Sequence, residues 1–280
     1  MRIPVFHVDA FTKHPFRGNP AAVCLLNAWL DDEMLRKVAA ENNLSETAFL
    51  VPIRNLPTHD LPGSRAAISH YDLRWFSPRK EVKLCGHATL ASAYVVCDLW
   101  TPGIEAIRFE TRWSGTLTVR KDGNLFSMDF PALFPKSLAH RPNSHLSALG
   151  PDRQLSDVLE VNETYIVVYE KEDAIQHMRP DFAGLEQLHP FVVAVTAPGD
   201  NVDFVSRYFK PSYGLAEDPV TGSVHCALTP YWSERLGKSR LHARQLSERG
   251  GELWCETGPE KDRVILQGDA VLTMEGSLII

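Results

Sequence analysis

Read for hydrophobic periodicity, the chain opens on strand-like apolar runs at residues 3–8 and 21–26. A helix is predicted from about Asp31, a candidate N-cap, because Met34, Leu35, Val38 and Ala39 then fall on one face. A second helix is predicted from Gly86 to about Leu99. There Ala88, Leu90, Ala91, Ala93, Tyr94, Val95 and Val96 leave almost no polar face, so this helix belongs inside a fold. Strand-like runs follow at residues 104–109, 116–119, 125–130 and 165–169, separated by turn signals such as Asp122-Gly123-Asn124. Residues 222–236 read as another helix, and short strands close the chain.

Two segments repeat. Arg74-Trp75-Phe76-Ser77-Pro78 and Arg207-Tyr208-Phe209-Lys210-Pro211 share the pattern Arg-aromatic-Phe-x-Pro, and each precedes a glycine that opens an apolar helix, at Gly86 and Gly222. Such a short pattern also recurs by chance. Read as a true repeat, it predicts two similar halves, each wrapping strands around one buried helix, with a boundary near Arg112–Gly115 and the active site between them.

Composition narrows the functional classes. The 280 residues are enough for one large domain or two medium ones. Lys and Arg number 29 against 35 Asp and Glu, a net charge of −6 that supplies no basic field for nucleic acid or an anionic membrane. No apolar stretch reaches the roughly 18 residues that a bilayer span needs. Cys24, Cys85, Cys97, Cys226 and Cys255 are odd in number and widely spaced, which argues against a disulfide framework or a zinc ribbon. The N-terminus reads as a strand interrupted by Asp9, too early for a signal-peptide apolar region, and a cytoplasmic protein is expected.

Candidate chemistry lies at the helix starts. A glycine with small neighbours leaves the first backbone N–H groups open, and with the helix dipole these attract an anion. Gly86 and Gly222 together would grip a carboxylate; each alone equally lets a buried helix begin in a crowded place. Glu46, in Leu44-Ser45-Glu46-Thr47-Ala48-Phe49-Leu50, is the best base candidate, since partial desolvation there would favour general acid/base work; a solvated glutamate at a strand entrance is the ordinary alternative. His87 sits where the dipole favours a neutral ring able to polarise a carbonyl, or serves in capping and packing. Asp218 before Pro219 points either into a cleft or back at its turn. Cys85 reads as an activated thiol or as packing. Nucleotide, nicotinamide, serine-hydrolase, zincin and calcium motifs are missing, and no metal-ligand spacing is present.

In combination these residues form recognisable motifs: Val8-Asp9-Ala10-Phe11-Thr12 with Pro15-Phe16-x-Gly18-Asn19-Pro20; Ser45-Glu46-Thr47-Ala48-Phe49; Glu81-Val82-x-Leu84-Cys85-Gly86-His87-Ala88-Thr89; Glu217-Asp218-Pro219-Val220-Thr221-Gly222-Ser223; and Gln245-x-Ser247-x-Arg249-Gly250-Gly251. The chain resembles the PhzF family, the phenazine-biosynthesis-like relatives of diaminopimelate epimerase, nearly end to end. The resemblance implies an α+β fold of two pseudo-symmetric halves, each a mostly antiparallel curled sheet around a central helix, with the site in the cleft between them. The halves are expected at residues 1–113, joined by a returning strand at about 268–280, and 114–267. It further implies a homodimer and a cofactor-independent isomerase without a metal. In such an enzyme Glu46 moves a proton between carbons of a small carboxylate, in a 1,3- or 1,5-type shift. Positions matching His87 and Asp218 assist, and Gly86, Gly222 and Ser223 bind substrate. Racemases of this fold use two thiols; Cys85 matches the first slot and Pro219 is expected to fill the second, which argues against two-thiol chemistry. An epimerase using Cys85 with another base, and a non-catalytic binding protein of the same fold, are the alternatives.

Overall fold

The computed structural model describes residues 1–53, 68–138, 146–150 and 155–280. The chain divides into two compact units, residues 1–129 with 267–280, and residues 130–266.

The first unit contains β1 (Arg2–Ala10), β2 (Asn19–Leu25), α1 (Asp32–Asn42), β3 (Glu46–Pro52), β4 (Ile68–Phe76), β5 (Glu81–Val82), α2 (Gly86–Tyr94), β6 (Ala106–Thr111), β7 (Thr116–Asp122) and most of β8 (Leu125–Pro131). The second contains β9 (Lys136–Ser137), β10 (Leu155–Val161), β11 (Thr164–Tyr169), α3 (Glu172–Gln176), α4 (Phe182–Glu186), β12 (Val192–Pro198), β13 (Phe204–Lys210), β14 (Leu215–Glu217), α5 (Gly222–Leu236), β15 (Arg240–Gln245) and β16 (Gly251–Thr257). β17 (Arg263–Gly268) carries the chain back, and β18 (Ala270–Ile279) lies antiparallel to β1 in the first unit.

The division into compact units falls at 129/130, beyond the boundary expected near residue 113. Residues 112–115 form the turn of the β6–β7 hairpin, where Thr111 donates both its N–H and its hydroxyl to the Gly115 carbonyl and Gly115 takes φ +66°. The polar turn that looks like a linker in sequence therefore joins paired strands of one sheet.

Strand pairing repeats. In the first unit the order is β1-β2-β3-β4-β6-β7, antiparallel except for the parallel pairs β2–β3 and β4–β6. In the second it is β10-β11-β12-β13-β15-β16, antiparallel except for β11–β12 and β13–β15. Each parallel pair needs a crossover connection, and α2 and α5 supply the crossovers β4–β6 and β13–β15. Both helices are apolar nearly all round, with residues 87–93 of α2 all buried. Their few polar groups are satisfied internally: the Thr89, Ser92 and Thr229 hydroxyls donate to carbonyls four residues back, and Trp232 Nε1 donates to Thr196 Oγ1. α1 has one apolar stripe, Leu35, Val38 and Ala39, packed against Ala22, Cys24 and Phe49, and begins at Asp31, whose carboxylate accepts the Met34 N–H at 2.7 Å.

The repeated sequence pattern marks matching hardware. Arg74 clamps Glu81 through Nε (2.6 Å) and a terminal nitrogen (2.7 Å), and Arg207 clamps Glu217 in the same two-pronged way at 2.8 Å. Each guanidinium also lies about 5 Å over the phenylalanine two residues on, Phe76 or Phe209. Phe76 pairs with Glu81 and Phe209 with Glu217, so each clamp fixes the short strand that leads into its central helix.

The Asp9 and Gly18 motif shapes the β1–β2 connection. Buried Asp9 accepts the Phe16 N–H at 2.7 Å, and Gly18 turns at φ +65°, where a Cβ would meet the Ala10 carbonyl oxygen at 2.2 Å.

Candidate functional site

Glu46 is the first residue of β3, where it pairs with Ala21 on the parallel strand β2. Its side chain is 14% exposed and its Oε2 stands 3.3 Å from His87 Nε2, on a ring only 7% exposed. His87 is the second residue of α2, so a strand start and a helix start present the carboxylate and the imidazole to one another. Ser45 Oγ adds a contact at 3.4 Å from the same Nε2. Cys85, the N-cap of α2, is buried, and its Sγ lies 3.5 Å from Nδ1 and 3.8 Å from Nε2 of His87. Glu46, Cys85 and His87 each place one donor atom within 4.8 Å of the others. Cys85 gives no side-chain bond to the backbone of the helix it caps.

The other thiols have a different setting. Burial pushes Cys24, Cys97, Cys226 and Cys255 up to about 12, which keeps them protonated and unreactive at neutral pH.

In the second unit Asp218 is buried and closes on its own turn. Its Oδ2 accepts the Thr221 hydroxyl at 2.7 Å, its N–H donates to the Tyr208 carbonyl, and Lys210 Nζ stands 3.8 Å away. Of the two orientations open in the sequence, the carboxylate takes the one toward the turn. Thr221 is the N-cap of α5 and, like Cys85, makes no side-chain capping bond, because its hydroxyl is given to Asp218. Gly222 is the first, buried residue of α5; Ser223, the second, is exposed.

Fully buried Gln245 holds this turn from β15. Its Oε1 accepts the Thr221 N–H at 2.9 Å, and its Nε2 donates to the Asp218 carbonyl at 2.7 Å and reaches Thr221 Oγ1 at 3.3 Å. Ser247 adds a bond to the Pro219 carbonyl. Behind them, His225 Nδ1 donates to the Thr221 carbonyl at 2.7 Å, and burial pushes its pKa down to about 4. Sequence reasoning gave no role to Gln245, Ser247, Ser45 or Thr221. Their presence inside the quoted motifs was the available signal.

The matching clamps align the units residue by residue. β3 pairs Thr47 with Phe76, and β12 pairs Val193 with Phe209, so Glu46 corresponds to Val192. Glu81 and Glu217 each stand the same distance before their helix, so Cys85 corresponds to Thr221 and His87 to Ser223. The expectation that Pro219 fills the second thiol slot is thereby corrected: the N-cap position equivalent to Cys85 is Thr221, and Pro219 lies in the turn before it.

No helix among the described residues is long and apolar enough to cross a membrane. The family model described as phenazine biosynthesis-like protein matches residues 8–276. Among curated proteins, an uncharacterized isomerase of Pseudomonas aeruginosa is 48% identical over 278 residues, covering 99% of each chain. Among solved structures, a phenazine biosynthesis protein of the PhzF family from Enterococcus faecalis is 39% identical with a TM-score of 0.89, covering 100% of both chains. A structure described as a predicted epimerase from Pseudomonas aeruginosa, 18% identical and covering 99% of both chains, shares the fold with a TM-score of 0.73.

Proposed function

The chain belongs to the phenazine biosynthesis-like protein family, and on that premise we propose that it is a cofactor-independent isomerase whose base is Glu46. The contact that carries this reading is the 3.3 Å approach of Glu46 Oε2 to His87 Nε2 in a largely buried setting. Glu46 takes a proton from a carbon whose anion is delocalised into an unsaturated or carbonyl-bearing small carboxylate, and returns it at another carbon of the same system. The net change is a 1,3- or 1,5-type shift of a double bond, balanced in protons. His87 orients the carboxylate and polarises the developing enolate, and the N–H groups at the start of α2 stabilise that charge.

The internal repeat supports one base in preference to two. Inversion at a carbon by two bases needs a proton acceptor on each face, and the positions corresponding to Glu46 and Cys85 are Val192 and Thr221, neither of which is a base at neutral pH. Asp218, Gly222 and Ser223 are assigned to substrate orientation and binding, a role that rests on the family likeness. A homodimer is part of the same proposal, and light scattering on the purified protein tests it.

Solvent-deuterium incorporation tests the mechanism. Small unsaturated and amino carboxylates that raise the melting temperature are incubated in D₂O and followed by NMR. The expected product carries deuterium at a carbon distinct from the one deprotonated, and Glu46→Gln lowers the exchange rate by about 10²–10⁴. The contact of Cys85 with His87 favours a second reading, epimerisation through the thiol. It takes precedence if deuterium appears with inversion at one stereocentre and Cys85→Ser costs several orders of magnitude. Ligands that bind without any exchange favour a non-catalytic protein.

A further inference from the structure

At the C-terminal end of α5 the second unit encloses an open cavity of about 620 Å³. Its construction begins with Pro230. A proline has no N–H, so the Cys226 carbonyl four residues earlier loses its helical donor, and the Leu133 N–H takes that carbonyl at 3.0 Å. The neighbouring Ala132 N–H donates to the Asp262 carbonyl at 2.8 Å, so the segment after β8 is tied to the helix and to the β16–β17 turn at once. These two bonds bring Phe134 and Pro135 to the same cavity as Pro230 and Tyr231. Phe134 stays 56% exposed there, and with two proline rings and a tyrosine it gives the cavity an apolar wall.

The polar lining carries one unpaired charge of each sign. Lys238 is held by Asp203, whereas Glu234 and Lys261 form no salt bridge among the described residues. Glu234 lies in the last turn of α5, where the carbonyl end of the helix dipole favours a cation. Lys261 lies in the turn before β17 with its N–H on the Gly258 carbonyl at 2.9 Å and its backbone left-handed, φ +62°, a conformation that glycine adopts at less cost. Ser233, beside Glu234, has a buried hydroxyl without a hydrogen-bond partner, and a turn about χ1 lets it meet a polar group in the cavity. We propose that this cavity binds a small zwitterion with a flat apolar body, the class of an aromatic amino acid. The ammonium faces Glu234 and the α5 carbonyls, the carboxylate faces Lys261, and the ring lies against Phe134 and Pro230. The volume falls within the roughly 300–1,000 Å³ of small-molecule sites, and an acid or an amine alone leaves one of the two charges unanswered.

The cavity uses none of the residues assigned to the reaction, so its test needs no turnover and stands apart from the isomerase reading. The full chain is titrated with L-phenylalanine in a calorimeter. The expected result is one equivalent bound, with weaker binding of phenylacetate and of phenethylamine and no heat from glycine. Phe134→Ala weakens phenylalanine binding about tenfold through the lost apolar contact. Lys261→Gln weakens phenylalanine and phenylacetate about three- to fivefold, as an exposed ion pair allows, and leaves phenethylamine unchanged; Glu234→Gln weakens phenylalanine and phenethylamine and leaves phenylacetate unchanged. All three side chains are exposed, so the circular dichroism spectra of the variants match that of the wild type. No saturable heat at millimolar phenylalanine, or binding that is the same in Phe134→Ala and Lys261→Gln as in the wild type, overturns the site. Phenethylamine or phenylacetate bound as tightly as phenylalanine overturns the zwitterion, and a proline-rich peptide bound more tightly than phenylalanine overturns the ligand class.

Discussion

Glu46 and Val192 occupy the same register position in two strands of the same repeat, and that difference of one side chain separates the proposed base from a buried apolar residue. The halves also differ at His87 against Ser223, Cys85 against Thr221 and Asp218 against Val82. Where the halves agree they share the clamp arginine, its phenylalanine and its glutamate, which are scaffold, and the helix-opening glycine. Asp218→Asn retains the reach to Thr221 and removes one charge near Lys210. It should therefore raise KM or lower kcat by less than Glu46→Gln does, as steady-state rates would show. His225 gives a pH prediction. It is fully buried, with a folded-state pKa of about 4 against an ordinary value of 6.5, because burial penalises the imidazolium. A lowered folded-state pKa means that the unfolded chain binds the proton first, so stability is present above about pH 6.5 and is lost as pH falls toward 4. This loss amounts to about 3 kcal/mol. Urea midpoints of wild type and His225→Gln should converge over that interval; parallel curves would show that His225 does not carry the slope.

The two arginine clamps belong to the scale of elements. Each ties a long strand to the short strand that enters a central helix, and so sets where that helix begins. Arg207 also donates to the Ile175 and Met178 carbonyls, at the end of α3 and just beyond it, and its side chain is 9% exposed beside Glu217 at 16%. Arg207→Leu leaves the Glu217 carboxylate largely buried without its partner, a change worth about 3–5 kcal/mol in such pairs. Arg207→Lys should recover only part of this, because an ammonium cannot reproduce the two-pronged geometry. Arg74 has an additional acidic neighbour, Asp32 at 2.8 Å, which is exposed, so Arg74→Lys should cost less than Arg207→Lys. Denaturant unfolding of the three variants checks the order. Gln245 is the corresponding device at the α5 entrance. Gln245→Leu removes three contacts to the Asp218–Thr221 turn at once and should lower both melting temperature and substrate affinity, while Gln245→Glu keeps the acceptor for the Thr221 N–H and loses the donor.

For the whole molecule, the C-terminal strand has a defined task. β18 pairs with β1 along the length of both, from Arg2 opposite Ile279 to Ala10 opposite Ala270, and Gly268 packs where an added Cβ would meet Phe11 at 2.4 Å. Ending the chain after Asp269 leaves one side of β1 unpaired. Hydrogen exchange should then accelerate in β1 and β2 and remain protected in β12 and β13, which belong to the other unit. Equal loss of protection in both units would show that the strand supports more than the sheet it joins.

Local chemistry determined much of this molecule from the sequence alone. The α1 cap at Asp31, the α5 bounds at residues 222 and 236, and the apolar character of α2 follow from side-chain periodicity and capping preference, which act over one or two turns. The Arg-aromatic-Phe-x-Pro repeat was equally legible, because duplicated structural tasks keep duplicated residues. Other features lay beyond local pattern. The boundary at residue 129 was hidden because a hairpin turn and a linker share the same polar residues. β12 and β13 carry apolar runs that identify a buried segment without naming its partners. The meeting of Glu46 with His87 and Cys85, and of Gln245 with Asp218 and Thr221, required tertiary structure, since each contact joins residues far apart in the chain and is fixed by parallel strand register and helix placement. Sequence specifies which groups are available for chemistry; the register of the folded sheets decides which of them come within hydrogen-bonding reach.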